Sequence, residues 1–279
     1  MEWRNIILRI SVVVTTYNGK MHLEKQLLSL LQQERAPDEV LIFDDGSTDG
    51  TIELVQSFIR KNCLESWQFY VNAKRKGWKQ NFMEGLRKAA GDILFPCDQD
   101  DIWYPKKLAE MTAVMEQHPE IKLLACDYRV IYESGALKAT VYKKTPAETQ
   151  GLITRYGFTK HFFMNPYPGC TYAVRRDFFD AVKELWFDGS PHDEFLWLMA
   201  AVQDGAWFYN RVLMDYVRYS DNASGVRYKD VALQKENLRY IHKQLCALQS
   251  FAAEHPDAVP AERCKMLAAA QIWCAKRQK

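Results

Sequence analysis

No C-x-x-C pair occurs among the seven cysteines of this 279-residue chain, and their number is odd. A disulfide framework or a zinc ribbon is therefore not what holds it together. Several of the cysteines sit in apolar runs, as in Leu124-Ala125-Cys126, which suits buried thiols in a reducing compartment. No stretch reaches the roughly 20 apolar residues of a membrane-spanning helix. The N-terminal residues carry Glu2, Arg4 and Asn5 and lead into a strand-like run, unlike a secretory signal. A cytoplasmic protein is expected. The net charge is only +2, which removes any overall case for a nucleic-acid partner. There is no internal repeat and no low-complexity tract. Glycine is sparse where it would matter most. Asn18-Gly19-Lys20 supplies one glycine after the first apolar run, whereas a nicotinamide dehydrogenase or a sugar-phosphate nucleotidyltransferase wants a glycine-rich phosphate loop there.

What is present is an ordinary globular composition, 48% hydrophobic and 26% charged. That length fits one large domain, or one core domain with an appended helical piece. Ile10 to Thr16 is a β-branched run that reads as a buried strand. His22 to Gln33 carries Leu23, Leu27, Leu30 and Leu31 at helical spacing. Further strands are predicted at Val40 to Phe43, Trp67 to Val71 and Ile93 to Cys97, with a helix from Phe82 to Ala90 stopped by Gly91. Asp49 is placed to cap the helix after the second strand, with Glu53 in its first turn. This alternation predicts an α/β fold with a largely parallel sheet. Leu123 to Tyr132 reads as another strand, Gly135 to Pro168 as loops and short elements, and Asp193 to Val202 as an apolar helix. From Arg227 onward the pattern is two helices broken near Pro256 and Pro260.

Three polar clusters follow predicted strand ends: Thr15-Thr16-Tyr17-Asn18, Asp44-Asp45-Gly46-Ser47 and Asp98-Gln99-Asp100-Asp101. Open α/β sheets bind ligands beyond the carboxyl ends of their strands, so the fold should gather all three at one edge. The three carboxylates of the last cluster repel one another unless a cation or hydrogen-bond donors sit among them. Mg2+ or Mn2+ is the matching cation, and it would bridge the phosphates of a nucleoside diphosphate. The bland reading is a solvated acidic turn before Pro105. Asp44 and Asp45 suit an Asp-Gly turn equally well. Asp193 at a helix start is first of all an N-cap, and secondly a carboxylate able to act as general base. Arg218 stands in a short polar segment with Ser220 and Asn222, and could bind a diphosphate.

Together these pieces resemble the inverting family 2 glycosyltransferases of GT-A fold. The matching residues are Val13-Val14-Thr15-Thr16-Tyr17-Asn18, Asp44-Asp45-Gly46-Ser47-Thr48-Asp49-Gly50-Thr51 and Phe95-Pro96-Cys97-Asp98-Gln99-Asp100-Asp101-Ile102-Trp103. The second half resembles the rhamnosyltransferase-like branch, through Gly169-Cys170-Thr171, through Pro191-His192-Asp193 with Trp197-Leu198, and through Tyr216 to Gly225. The chain departs from that branch at Ser220, where a His is usual. The resemblance implies a Rossmann-like, mixed and mostly parallel sheet flanked by helices. It implies that Thr15, Tyr17 and Asp44 hold the nucleoside base of a UDP- or dTDP-sugar. Asp98 and Asp100 would contact the ribose and sugar, Asp100 or Asp101 would take the metal, and Arg218 would neutralise the diphosphate. Asp193 would deprotonate a hydroxyl of a glycan or lipid-linked glycan acceptor. Retention of both Asp193 and the acidic cluster argues against a non-catalytic carbohydrate-binding or scaffold protein on the same fold.

Residues 1–226 are expected to form the transferase domain and 227–279 a C-terminal helical extension. The extension holds ten Lys/Arg against five Asp/Glu. Its apolar stripe of Val231, Leu238, Ile241, Leu245 and Leu248 suits packing on the core or on a second copy in a homo-oligomer. The sharper expectation is a peripheral contact with the inner face of a membrane.

Overall fold

A computed structural model describes residues 7–133, 149–159, 165–219 and 231–277, with side chains from 236 onward in the last of these. The predicted alternation holds through the first half. Strand β1 (Ile10–Thr16), helix α1 (Lys20–Leu31), β2 (Glu39–Asp44), α2 (Thr51–Lys61), β3 (Trp67–Val71), α3 (Trp78–Lys88) and β4 (Ile93–Cys97) follow in order. Helix α3 starts one turn before the expected Phe82. Its first turn, Trp78-Lys79-Gln80-Asn81, is mostly polar, so the apolar period begins only in the second turn. Short β5 (Ile102–Trp103), α4 (Lys107–Gln117) and long β6 (Leu123–Tyr132) come next. In the region expected to be loops and short elements, the described residues include a short strand, β7 (Ile153–Arg155). A 3-10 turn at Gly169–Thr171 leads into β8 (Tyr172–Arg175) and α5 (Arg176–Val182), and a second 3-10 turn at Lys183–Leu185 precedes α6 (His192–Val202) and β9 (Ala206–Arg218). Two helices close the chain, α7 (Val231–Glu254) and α8 (Ala261–Arg277), separated where Pro256 and Pro260 were expected to break them.

The strands form one mixed sheet of order β3-β2-β1-β4-β8-β6-β9-β5, with β7 paired to β9. Strands β3, β2, β1 and β4 are mutually parallel, and β8 runs antiparallel between β4 and β6. Side chains of a strand alternate between its faces, and that alternation splits the core in two. Val12 and Val14 of β1 pack with Leu23 and Leu27 of α1, Phe58 of α2 and Met111 of α4. Val13, from the other face, packs with Phe82 of α3, Phe195 of α6 and Leu245 of α7. The result is helices on both sides of a sheet. Because β1, β2 and β4 are parallel and in register (Thr16 opposite Asp44, Val14 opposite Cys97), their three polar ends do meet at one edge.

Leu245, Leu248, Phe251 and Leu267 of the C-terminal helices share the apolar layer of α6. The expected division at 226/227 lies outside the described residues, as does Ser220, and nothing is described of the Val231 side chain. No helix among the described residues is long and apolar enough to cross a membrane.

Candidate active site

Strand β4 delivers the acidic cluster. Asp98 and Asp100 are half-buried, and Asp101 is 1% exposed. Asp101 Oδ1 accepts the Val217 amide of β9 at 3.3 Å, while Oδ2 is buried without a hydrogen-bond partner. Burial, and then the neighbouring charges of Asp100 and Asp193, push Asp98 up to about 7. Burial also raises Asp100 and, with its acidic neighbours, raises Asp101 well above the usual carboxylate range. The Cys170 thiol, a weak donor, lies against the same carboxylates; one ligand atom each from Asp98, Asp101 and Cys170 falls within a 4.8 Å cluster. A buried carboxylate oxygen lacking a donor demands a proton or a cation. The two carboxylates suit a divalent ion such as Mg2+ or Mn2+; Asp100, which was expected to share the metal, adjoins this cluster and is not one of its three groups.

A buried ammonium stands behind this cluster. Lys107, fully buried at the start of α4, donates to the Cys170 carbonyl at 2.5 Å and lies 4.0 Å from the Trp103 ring centre. It fixes the Gly169–Thr171 turn from the protein side.

Gln99 ties the first cluster to the third. Its Oε1 accepts the Thr16 hydroxyl at 2.8 Å and the Tyr17 amide at 2.9 Å. Thr15 is buried at the end of β1, opposite Phe43. The Tyr17 ring carries the Arg75 guanidinium 3.9 Å from its centre. Asp44 is fully buried and works inside its own turn. Its carboxylate accepts the Gly46 amide (3.0 Å), the Ser47 amide (2.7 Å) and the Ser47 hydroxyl (2.5 Å). Gly46 adopts φ +83°, a left-handed turn position that favours glycine. Asp45 reaches the next loop, accepting the amides of Lys76 and Gly77 at 2.8 Å each. It thereby anchors the segment that carries Arg75.

Asp193 stands at the second position of α6. Its Oδ1 accepts the Glu194 amide at 2.9 Å, and the Gly169 amide also bonds its carboxylate. Burial raises its proton affinity and these amides oppose the rise. A raised affinity is what a general base working near neutrality needs. His192 cannot share that task. Burial holds it neutral, with its pKa pushed down to about 3, and it stacks on Phe82 at 4.0 Å between ring centres. Its role is a wedge: a Cβ on Gly169 would lie 2.5 Å from His192 Nε2 and 3.0 Å from Asp193 Cβ. Only glycine lets the turn approach the base this closely.

Arg218, 6% exposed at the end of β9, lies near enough to Asp100 to oppose its rise in proton affinity. The next residue, Tyr219, donates its hydroxyl to Asp100 Oδ2 at 2.7 Å. An imidazole does stand near Asp100, but it comes from His22 of α1. The structure thus brings Asp98, Asp100, Asp101, Asp193 and Arg218 into one electrostatic neighbourhood, with Tyr17 joined to it through Gln99. The sequence reading passed over Gln99, Arg75, Lys107, His22 and Tyr219. Lys107 had a signal: it shares helical spacing with Met111 and Met115, both of which are buried.

Among known proteins, the profile described as Glycosyl transferase family 2 matches residues 11–181. The dTDP-rhamnosyl transferase RfbG of Shigella flexneri is 24% identical over 228 residues, 76% of this chain and 73% of that protein. Several other curated relatives are matched over less than half of their own length. The structure of S. aureus TarS 1-349 with UDP-GlcNAc superposes with a TM-score of 0.66 at 18% identity, covering 88% of this chain and 72% of that one. The Pyrobaculum calidifontis mannosyltransferase PcManGT, solved with GDP-Man and Mn2+, superposes with a TM-score of 0.56 at 17% identity, covering 95% and 69%. Both share the fold described above.

Proposed function

The chain belongs to glycosyl transferase family 2, and on that premise we propose that it moves a sugar, with inversion, from a UDP- or dTDP-sugar to a hydroxyl of a glycan acceptor in cell-surface polysaccharide synthesis. One observation carries this reading: the Gly169–Thr171 turn packs against Asp193 on one side and on the other carries Cys170, whose thiol lies within a 4.8 Å cluster with Asp98 and Asp101. A base for the acceptor and a seat for the donor therefore share one site. The donor base lies at Tyr17 and Arg75, where an aromatic face and a guanidinium already stack. Asp44 has used three of a carboxylate's roughly four acceptor positions inside its turn, which leaves one for a base N–H. Thr15 shapes the floor beside it. Asp98 and Asp100 face the ribose and sugar, and Arg218 sets a fixed positive charge near the diphosphate.

A divalent cation, Mg2+ or Mn2+, held by Asp100 or Asp101 would neutralise charge on the departing diphosphate. Asp193 takes the proton of the acceptor hydroxyl. The oxygen attacks the anomeric carbon from the face opposite the diphosphate, so the new C–O bond forms as the bond to phosphate breaks. The proton ends on Asp193, the electron pair leaves with the diphosphate, and the configuration inverts. No covalent enzyme intermediate is needed. The donor is checked by thermal melting with a panel of UDP- and dTDP-sugars, with and without Mn2+. A cognate donor raises the melting temperature by mass action, and more so with Mn2+. A panel in which no nucleotide sugar shifts the transition contradicts the reading.

A further inference from the structure

We infer that Tyr219, held in place by His22 and Glu133, is a positioning residue for Asp100 that sets how tightly the acidic cluster takes its cation. The inference rests on the divalent-ion reading above and extends it to residues outside the strand-end motifs.

Four parts of the molecule meet at this point. Tyr219 follows β9 and donates its hydroxyl to Asp100 Oδ2 at 2.7 Å. Its ring lies flat on the His22 imidazole of α1, with centres 4.4 Å apart and planes 15° from parallel. His22 Nε2 in turn meets Glu133 Oε2, just past the end of β6, at 3.0 Å. The Glu133 amide donates to the Arg218 carbonyl at 2.8 Å, which ties the ends of β6 and β9 together at the residue before Tyr219. Gln99 also hydrogen-bonds the Tyr219 side chain, and the same Gln99 holds Thr16 and Tyr17. The hydroxyl is therefore the node where α1, β6, β9 and the acidic loop converge.

Fixing one oxygen of a carboxylate fixes the plane of the group, and so the direction in which the other oxygen points. A stacked ring in a parallel plane removes the rotamer freedom that would let the hydroxyl wander. Carboxylates that bind metals depend on such supporting hydrogen bonds, and their loss commonly weakens metal binding about 10- to 100-fold. The arrangement is richer than edge packing requires. An aromatic pair alone would fill the gap between α1 and β9 without a hydroxyl aimed at Asp100. Arg218 adjoins Tyr219 and is tied to Glu133, so the same latch also steadies the guanidinium near the diphosphate seat.

The test is Mn2+ binding to the full chain, followed by electron paramagnetic resonance of the free ion, beside the melting temperature of the metal-free protein. Tyr219→Phe keeps the ring and removes the hydroxyl. It should weaken Mn2+ binding about tenfold or more, while metal-free melting falls by no more than the loss of one hydrogen bond to a carboxyl accounts for. His22→Phe keeps a stacking ring and should bind Mn2+ more tightly than His22→Ala, which removes it. Parental Mn2+ affinity in Tyr219→Phe overturns the inference, as does equal affinity in the two His22 variants. A parent chain that binds no Mn2+ overturns the divalent-ion reading itself, and this inference with it, so the two failures are distinguishable.

Discussion

At the scale of single residues, the site works by placing carboxylates where water cannot serve them. Asp98, Asp101 and Asp193 are each raised first by burial, and each then has a different partner to answer to. Asp98 answers to Asp100 and Asp193, Asp101 to the Val217 amide and the Cys170 thiol, and Asp193 to the amides of Glu194 and Gly169. That last contact makes Gly169 the most exacting position. A methyl group there would press on His192 Nε2 at 2.5 Å and on Asp193 Cβ at 3.0 Å, and neither can retreat because His192 is stacked on Phe82. Gly169→Ala should therefore displace the base while leaving the donor seat intact. A displacement of about 1 Å commonly costs on the order of 100-fold in rate. Steady-state kinetics should show kcat falling by about that factor with donor KM little changed, and a variant with parental kcat would refute the wedge.

At the scale of elements, helix α6 has to hold its N-terminus in the site, and α7 is what holds it. Tyr240 of α7 donates to Glu194 Oε2 at 2.7 Å, and Gln244, one turn on, donates to Tyr240 at 2.6 Å and to Ser190 at 3.2 Å. Glu194 is largely buried, with its proton affinity raised by that burial and lowered again by Tyr240. Tyr240→Phe takes away the donor and leaves the carboxyl. Such a loss costs about 1–3 kcal/mol, so the melting temperature should fall, and turnover should fall with it because Glu194 adjoins the base. Unchanged melting and turnover would mean that α7 does not brace α6. Helices α1 and α3 were legible in the sequence because one stripe of each is apolar, and α6 because it is apolar nearly throughout; α5, only seven residues long, was not. The strands β1 to β4, whose apolar runs end in polar clusters, were legible too. The brace was not legible, because Tyr240 reads as one polar-tipped ring in a helical stripe and Glu194 as a first-turn acid complementing the helix dipole. Gln99 was hidden for a similar reason. An amide between two aspartates looks like a spacer until β1 and β4 are placed side by side. Arg75 lies in a loop whose shape depends on Asp45, a residue that sequence logic assigned to a turn.

At the scale of the whole molecule, the acids and His192 dictate how stability follows pH. Asp98 binds its proton up to about 7 in the folded chain, against 3.8 for an unperturbed carboxyl. Between those values the folded state holds a proton that the unfolded state has released, so Asp98 takes stability away as pH rises through that window, whereas His192, held neutral down to about 3 against 6.5, adds stability as pH rises from about 3 to 6.5. Asp100, Asp101 and Asp193 shift in the same direction as Asp98. A divalent ion displaces those protons, so its stabilisation should grow as pH rises. Melting curves at pH 5 and pH 8, with and without Mn2+, check that growth; a larger Mn2+ effect at pH 5 would contradict the account. The central claim is that one carboxylate on α6 activates the acceptor while the strand ends hold the donor. It is tested most directly by following nucleoside diphosphate release from a nucleotide sugar that stabilises the chain, for the parent and for Asp193→Asn, in Mn2+. The account predicts release by the parent, a loss of about 100- to 10,000-fold in Asp193→Asn, and donor affinity unchanged between them. Parental release by Asp193→Asn would contradict it.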